Sequence, residues 1–206
     1  MRNYQKELDK ITEQIKIEIE NGGSKRKLLI HSCCAPCSSY CLLYLSEFFD
    51  ITCYFYNPNI SPESEYVKRA EEITRFITTV NDEYDLNIKL IKGEYDPERF
   101  YALTKGMEDI PEGHERCFVC YRMRMEEAAK VALSEGAEYF TTTLSISPLK
   151  NAGKINEIGE ELSEIYSVAH LPSDFKKKNG YKTSVELSKK YDLYRQDYCG
   201  CVYSRR

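Results

Sequence analysis

Tryptophan is absent from this chain, histidine occurs only three times, and no low-complexity tract interrupts it. The apolar runs LLI at 28–30 and CLLYL at 41–45 are far too short to span a bilayer. No apolar stretch follows the charged, helix-like start MRNYQKELDKITEQIKIEIE, so a secretory signal is not expected. Excess positive charge is missing as well, since the formal net charge is −4. A general electrostatic binder of nucleic acid would be basic, so any such partner must be met by a local patch. These absences predict a cytoplasmic protein. Its 206 residues, 42% of them hydrophobic, suit one α/β domain over 1–206 with its own core.

Cysteine, by contrast, is abundant, with nine in the chain. A reducing compartment argues against structural disulfides and for metal or redox use. The cysteines are grouped. Cys33, Cys34, Cys37 and Cys41 fall in HSCCAPCSSYC, Cys117 and Cys120 in ERCFVCYR, and Cys199 and Cys201 in DYCGCVYS. Cys53, alone in DITCYFYNP, reads as a core residue of a strand, and Cys41 as a core residue of a helix. His31 ends the strand before the vicinal pair and reads either as a buried histidine or as a support for the site. His114 and His170 carry no assignment.

Hydropathy patterning alternates strands with helices. The opening helix, 1–22, stops at NGGSKRK, where two glycines end it. KLLIHS reads as a buried strand and PCSSYCLLYLSEFF as a helix with proline in its first turn. ITCYFYNP is a second strand. SPESEYVKRAEEITRFITTVNDEY is an amphipathic helix with Val67, Ala70, Ile73, Ile77 and Val80 on its apolar face. NIKLIKG, YFTTTLSIS and SVAHLP read as further strands. Helices are expected over PERFYALTKG, CFVCYRMRMEEAAKVALSEG, NAGKINEIGEELSEIY and SVELSKKYDLY, before a tail at 192–206. The alternation predicts a doubly wound, mostly parallel α/β sheet. Ligands of such sheets sit beyond the carboxyl ends of the strands, where HSCC and TLSIS both fall.

Cys117 and Cys120, three apart, can reach one metal from one helix face. In CGC, Gly200 frees the backbone for an unusual geometry. Seven clustered cysteines, Cys41 aside, exceed what one tetrahedral zinc or one four-cysteine cluster needs. Two metal centres, or one centre plus a redox-active thiol pair, fit better. Neighbouring side chains diverge along an extended chain, so Cys33 and Cys34 are expected to face two adjacent centres. Asp96 and Asp197 are candidates for metal ligation or proton transfer, with helix capping as the plain alternative for Asp96. Lys176, Lys177, Lys178 and Lys182, with Phe175 and Tyr181 interleaved, form a local basic patch. Arg122, Arg124, Arg195, Arg205 and Arg206 flank the cysteine motifs, and positive charge there suits a phosphate-bearing substrate.

Together, LLIHSCCAPCS, NPNISPESEYVKR, GEYDPERF, ERCFVCYRMRM, FTTTLSISPLKN, DFKKKNGY and LYRQDYCGCVYS resemble the cobalamin-independent epoxyqueuosine reductase family. The match runs from about residue 27 to residue 204. The resemblance implies reduction of epoxyqueuosine in tRNA to queuosine, an adenine-nucleotide hydrolase-like fold and an iron–sulfur protein. Deoxygenating an epoxide takes two electrons and a [4Fe–4S] cluster passes one at a time, so an additional mononuclear iron beside the cluster would serve as Lewis acid and store for the other. HSCCAPCS stands where ATP-using relatives carry a glycine-rich phosphate loop and lacks those glycines, which argues against ATP use. The family's cysteines correspond to Cys33, Cys34, Cys37, Cys117, Cys120, Cys199 and Cys201.

On this reading Cys117, Cys120, Cys199 and one of the vicinal pair hold the cluster. The remaining cysteines, with Asp96 or Asp197, hold the iron. Cys33, Cys34, Asp96 and Asp197 carry the chemistry, Lys176, Lys177, Lys178 and Arg195 grip tRNA, and an electron donor is required. Two rivals stand beside it: a thiol-only reductase built on Cys33 and Cys34, and a zinc-stapled tRNA-binding module.

Overall fold

The computed structural model describes residues 2–204. In chain order the elements are α1 (Tyr4–Glu20), β1 (Arg26–Ser32), α2 (Ala35–Leu45), β2 (Phe49–Phe55), α3 (Glu63–Tyr84) and β3 (Lys89–Lys92). Then follow α4 (Pro97–Thr104), α5 (Glu115–Ser134), β4 (Tyr139–Thr142), α6 (Ala152–Tyr166), β5 (Ala169–His170) and α7 (Gly180–Lys190). Short 3₁₀ turns occupy Thr143–Ile146 and Val202–Ser204. The five strands are parallel throughout, in the order β3-β2-β1-β4-β5. The order reverses between β1 and β4, and that switch point is where open parallel sheets bind ligands.

Strand alternation explains the two layers. Leu28 and Ile30 point to one face of β1 and pack with Leu8 and Ile15 of α1, Leu42 and Leu45 of α2, and Ile73 and Phe76 of α3. Leu29 points to the other and packs with Met125, Ala128 and Ala129 of α5 and Ile155 and Ile158 of α6. Leu28, Leu29 and Ile30 are each 1% exposed or less, so each contributes about 1.5–3 kcal/mol of burial. Helix α1 begins under Asn3, whose side chain accepts from the Lys6 N–H at 3.1 Å. It ends at Asn21, and Gly22 adopts the left-handed conformation the turn needs.

Several boundaries differ from the sequence expectation, each for a local reason. The fourth strand stops at Thr142, because the Thr142 hydroxyl accepts from the Leu144 N–H and tightens the chain into a 3₁₀ turn. Helix α2 ends at Leu45, and Phe49 already pairs with Arg26 in the sheet. Helix α7 starts four residues earlier than expected, at Gly180. On α3, Val67 lies exposed, and Arg69 takes a place on the buried face, four residues before Ile73. Cys41 and Cys53 are wholly buried core residues, as their contexts predict.

Candidate metal and thiol centre

Strand β1 delivers Cys33 to the switch point, and Cys34 is the N-cap of α2 in extended conformation. Pro36 sits in the first helical turn, so Cys37 comes back over the same end. The sulfurs of Cys33, Cys34 and Cys37 lie within 4.8 Å of one another, close enough to hold one metal ion. Among the described residues they are the only such group of cysteine, histidine or carboxylate ligands. The Cys33 and Cys34 sulfurs are 3.8 Å apart. This corrects the expectation that the vicinal pair diverges toward two centres: the strand-to-helix turn folds both thiols into one group.

Neighbours fix that group. The Cys33 N–H donates to Thr143 Oγ1 at 3.3 Å, and the Thr143 hydroxyl donates to Cys33 Sγ at 3.5 Å. Thr143 arrives from the end of β4, across the switch point. Gln196 Nε2 donates to Cys34 Sγ at 2.9 Å. Below them His31 is fully buried. Its Nε2 lies 3.0 Å from the Tyr56 carbonyl oxygen, and its Nδ1 lies 2.8 Å from the Thr142 hydroxyl. Burial, followed by the nearby Arg124 charge, pushes the imidazole down to about 3, so it is neutral.

One thiolate is favoured among the three cysteines. Hydrogen bonds from Cys34 and then Cys37, with the charges of Arg124 and Lys150, hold Cys33 well below the usual thiol range despite its burial. Cys34 is pushed up to about 12 and Cys37 also upward, chiefly because each donates to Cys33. A depressed pKa keeps Cys33 ionised, and therefore reactive, as pH falls below the ordinary thiol value of about 8.5. Alkylation of Cys33 by iodoacetamide in metal-free protein should accordingly persist into mildly acidic buffer. In a Cys37→Ala variant its midpoint should move up, as read by peptide mass spectrometry.

A second group forms beside the first. Cys117 and Cys120 stand on the first turns of α5, while Cys199 and Cys201 flank Gly200 in the tail. All four line a small cavity with Asn59, Glu112 and Lys150. The Gly113 N–H donates to Cys117 Sγ at 3.2 Å. Burial pushes Cys120 up to about 12, and raises Cys117 and Cys201 too. Fully buried Arg124 directs its guanidinium to Asn57 Oδ1, at 2.5 Å, and to Cys120 Sγ, at 3.9 Å. The tail is pinned from α3 and the loop before it. Arg69 donates to the Cys199 carbonyl at 3.1 Å, and the Ser61 N–H donates to the Gly200 carbonyl at 2.9 Å. Gly200 has φ +114°, and a Cβ there would stand 2.9 Å from Arg69 Nη1 and 3.0 Å from Ile60 Cγ1.

A larger cavity of about 420 Å³ opens above both groups. Cys33, Cys37 and Cys199 form part of its wall, with Arg69, Arg124 and Lys150 supplying positive charge. Glu112, Lys150 and Cys199 belong to both cavities. Burial alone would lower the half-buried Lys150 ammonium, but negative charge at the nearby cysteine sulfurs, that of Cys33 among them, holds it above its ordinary value.

The expected site residues thus divide. Asp197 and Arg195 line the open cavity. Asp96 caps α4, accepting from the Arg99 N–H at 3.2 Å, and neither cavity's lining includes it. Lys176 pairs with Asp174 at 2.6 Å and Lys178 with Asp9 at 2.7 Å, so these charges are already compensated, and Lys177 is exposed. Arg205 and Arg206 lie outside the described residues. Arg69, Gln196 and Asn59 were not anticipated. The signal for Arg69 was available, because it is a charged residue on the apolar stripe of α3.

Fold and site define a parallel α/β protein whose sheet edge carries a convergent, metal-competent thiol group. The family model described as Epoxyqueuosine reductase QueH matches residues 28–206. A protein of that name from Staphylococcus epidermidis is 44% identical over 206 residues, covering 99% of this chain and 87% of the relative. Those of Streptococcus pyogenes and Thermotoga maritima are 41% and 40% identical, covering 96% and 86% of this chain and 78% and 89% of their own. The chain belongs to the QueH family of epoxyqueuosine reductases and is an oxidoreductase. No helix among the described residues is long and apolar enough to cross a membrane.

Proposed function

We propose that this chain, acting as one α/β domain in the cytoplasm, reduces epoxyqueuosine in tRNA to queuosine, with the Cys33, Cys34 and Cys37 group as the reducing centre. The observation that carries the choice of centre is the convergence of those three sulfurs within 4.8 Å, with Cys33 and Cys37 of the group lining the open cavity. Three clustered thiols fit a thiol or single-ion site better than a [4Fe–4S] cluster. The Cys33 thiolate attacks an epoxide carbon, so a C–S bond forms, the C–O bond breaks and the oxygen takes up a proton. A second thiol then attacks the Cys33 sulfur. The S–S bond forms, the C–S pair becomes the C=C bond, and hydroxide leaves as water after a second protonation. Epoxide and two thiols give alkene, water and disulfide, and an external dithiol or reductase restores the thiols.

Cys37 is the better partner. Consecutive Cα atoms are about 3.8 Å apart, below the range of about 4.4–6.8 Å that disulfides adopt. Arg124 and Lys150 neutralise the thiolate. Asp197 at the cavity wall is placed to exchange protons with solvent. An everted base is required to reach a site this recessed, and Arg195 and Lys177 supply unpaired charge for the tRNA backbone.

A second reading keeps metal in the reaction. Its support is the four-thiol lining of the small cavity, the donor number of a zinc site or an iron–sulfur cluster, with the sulfurs spread wider than the 4.8 Å of the Cys33, Cys34 and Cys37 group. In that version Cys117, Cys120, Cys199 and Cys201 hold the [4Fe–4S] group, and Cys33, Cys34 and Cys37 hold the mononuclear iron. When bound, such groups supply single electrons and a Lewis acid for the epoxide oxygen. The adenine-nucleotide hydrolase-like kinship also stays a proposal, supported by the β3-β2-β1-β4-β5 order and the site at the switch point. The test is direct. Anaerobic, reduced protein is incubated with tRNA bearing epoxyqueuosine, and the digested nucleosides are weighed. Queuosine is the expected product; epoxyqueuosine returned intact, from protein tested both metal-free and metal-loaded, overturns the assignment.

A further inference from the structure

Asn59 sits in the NPNI turn after β2, beyond the carboxyl edge of the sheet. It is 2% exposed, and neither its amide nitrogen nor its amide oxygen has a hydrogen-bond partner. Unsatisfied buried amides are costly, and native proteins rarely keep one without a use. Its near neighbour Asn57 shows the contrast, giving to the Ser32 carbonyl at 2.9 Å and receiving from Arg124. Asn59 instead lines the cavity formed by Cys117, Cys120, Cys199 and Cys201. The loop that carries it is tied to the tail by the Ser61-to-Gly200 hydrogen bond, two residues further on.

We propose that Asn59 is a positioning residue for a sulfur-ligated metal centre in this cavity, its amide N–H donating to a coordinating thiolate of the Cys199–Cys201 tail. This rests on the four-cysteine cavity holding metal, the second reading above. A thiol is a weak acceptor, whereas a metal-bound cysteine is a thiolate and a good one. The orphaned N–H therefore gains its partner when metal binds. Such outer hydrogen bonds orient ligands and typically contribute about 10–100-fold in metal affinity.

The test uses the full chain carrying Cys33→Ser and Cys37→Ser, so that the three-thiol group no longer competes. Zn(II) is titrated against a chromogenic chelator, with and without Asn59→Leu or Asn59→Asp. Melting of the metal-free proteins is measured alongside. Asn59→Leu should bind zinc about 10–100-fold more weakly, while its metal-free form melts no lower than the parent, because two unpaired polar atoms have gone. Asn59→Asp, which removes the donor and adds like charge, should bind more weakly still. Unchanged affinity in Asn59→Leu overturns the proposal, as does a loss of affinity matched by a lower metal-free melting temperature. If the parent itself takes up no zinc, the metal reading of the cavity falls, and the proposal with it.

Discussion

Replacing Cys33 by serine should slow turnover of epoxyqueuosine tRNA by at least about a thousandfold, the scale of losing a covalent nucleophile. Cys33 directly follows the central strand, lines the open cavity, and is the cysteine that its neighbours hold as thiolate. A serine hydroxyl keeps the size and the contact with Thr143 but is not ionised near neutral pH. The fold should be unaffected, because the core residues Leu28, Leu29 and Ile30 of the same strand are untouched. Cys34→Ala should cost less, since Cys34 acts through its hydrogen bond to Cys33. Steady-state rates under a fixed reductant, with far-ultraviolet circular dichroism as the fold check, decide this. A Cys33→Ser protein within tenfold of the parent contradicts the assignment.

The second large effect is on stability. The Arg69 side chain is 2% exposed and pairs with Glu65, itself 11% exposed, at 2.7 Å. It also holds the Cys199 carbonyl and packs where Gly200 leaves room for it. Arg69→Leu strands the Glu65 carboxylate, to which Tyr194 donates a hydroxyl at 3.1 Å as partial compensation. Removing one partner of a buried pair costs about 3–5 kcal/mol, and the lower end applies here. For a chain of this length that is a fall of about 6–12 °C in melting temperature. The tail should loosen with it, so Cys199 and Cys201 become more reactive toward a thiol reagent while Cys41 stays protected. A melting temperature within 2 °C of the parent, an allowance of roughly half a kcal/mol, removes Arg69 as the clamp of the tail.

Much of this architecture was legible because it rests on periodicity. The alternation of KLLIHS, ITCYFYNP and NIKLIKG with amphipathic segments fixes a parallel sheet, and the cysteine spacing marks its functional edge. What was not legible depends on three-dimensional closure. Adjacency in sequence argued that Cys33 and Cys34 diverge, but the turn into α2 rotates both into one group. No local pattern joins Thr143 to Cys33 or Gln196 to Cys34, since those partners meet only when β4 and the tail arrive at the switch point. Asp96 looked like chemistry from its place after β3, and its cap on α4 follows from Pro97 and the free N–H of Arg99. The lysine run looked like a binding patch until Asp174 and Asp9 were seen to neutralise two of its members.

The central claim is that the Cys33, Cys34 and Cys37 group supplies the electrons. It is tested by one turnover in the absence of metal and external reductant. Chelator-treated, fully reduced protein is mixed anaerobically with a small excess of epoxyqueuosine tRNA, and queuosine and protein disulfide are counted together. The account predicts one disulfide for each queuosine formed, mapped by peptide mass spectrometry between Cys33 and Cys37. Queuosine formed without loss of thiols, or formed only after iron and sulfide are restored, would contradict it and move the chemistry to the metal reading of the same sheet edge.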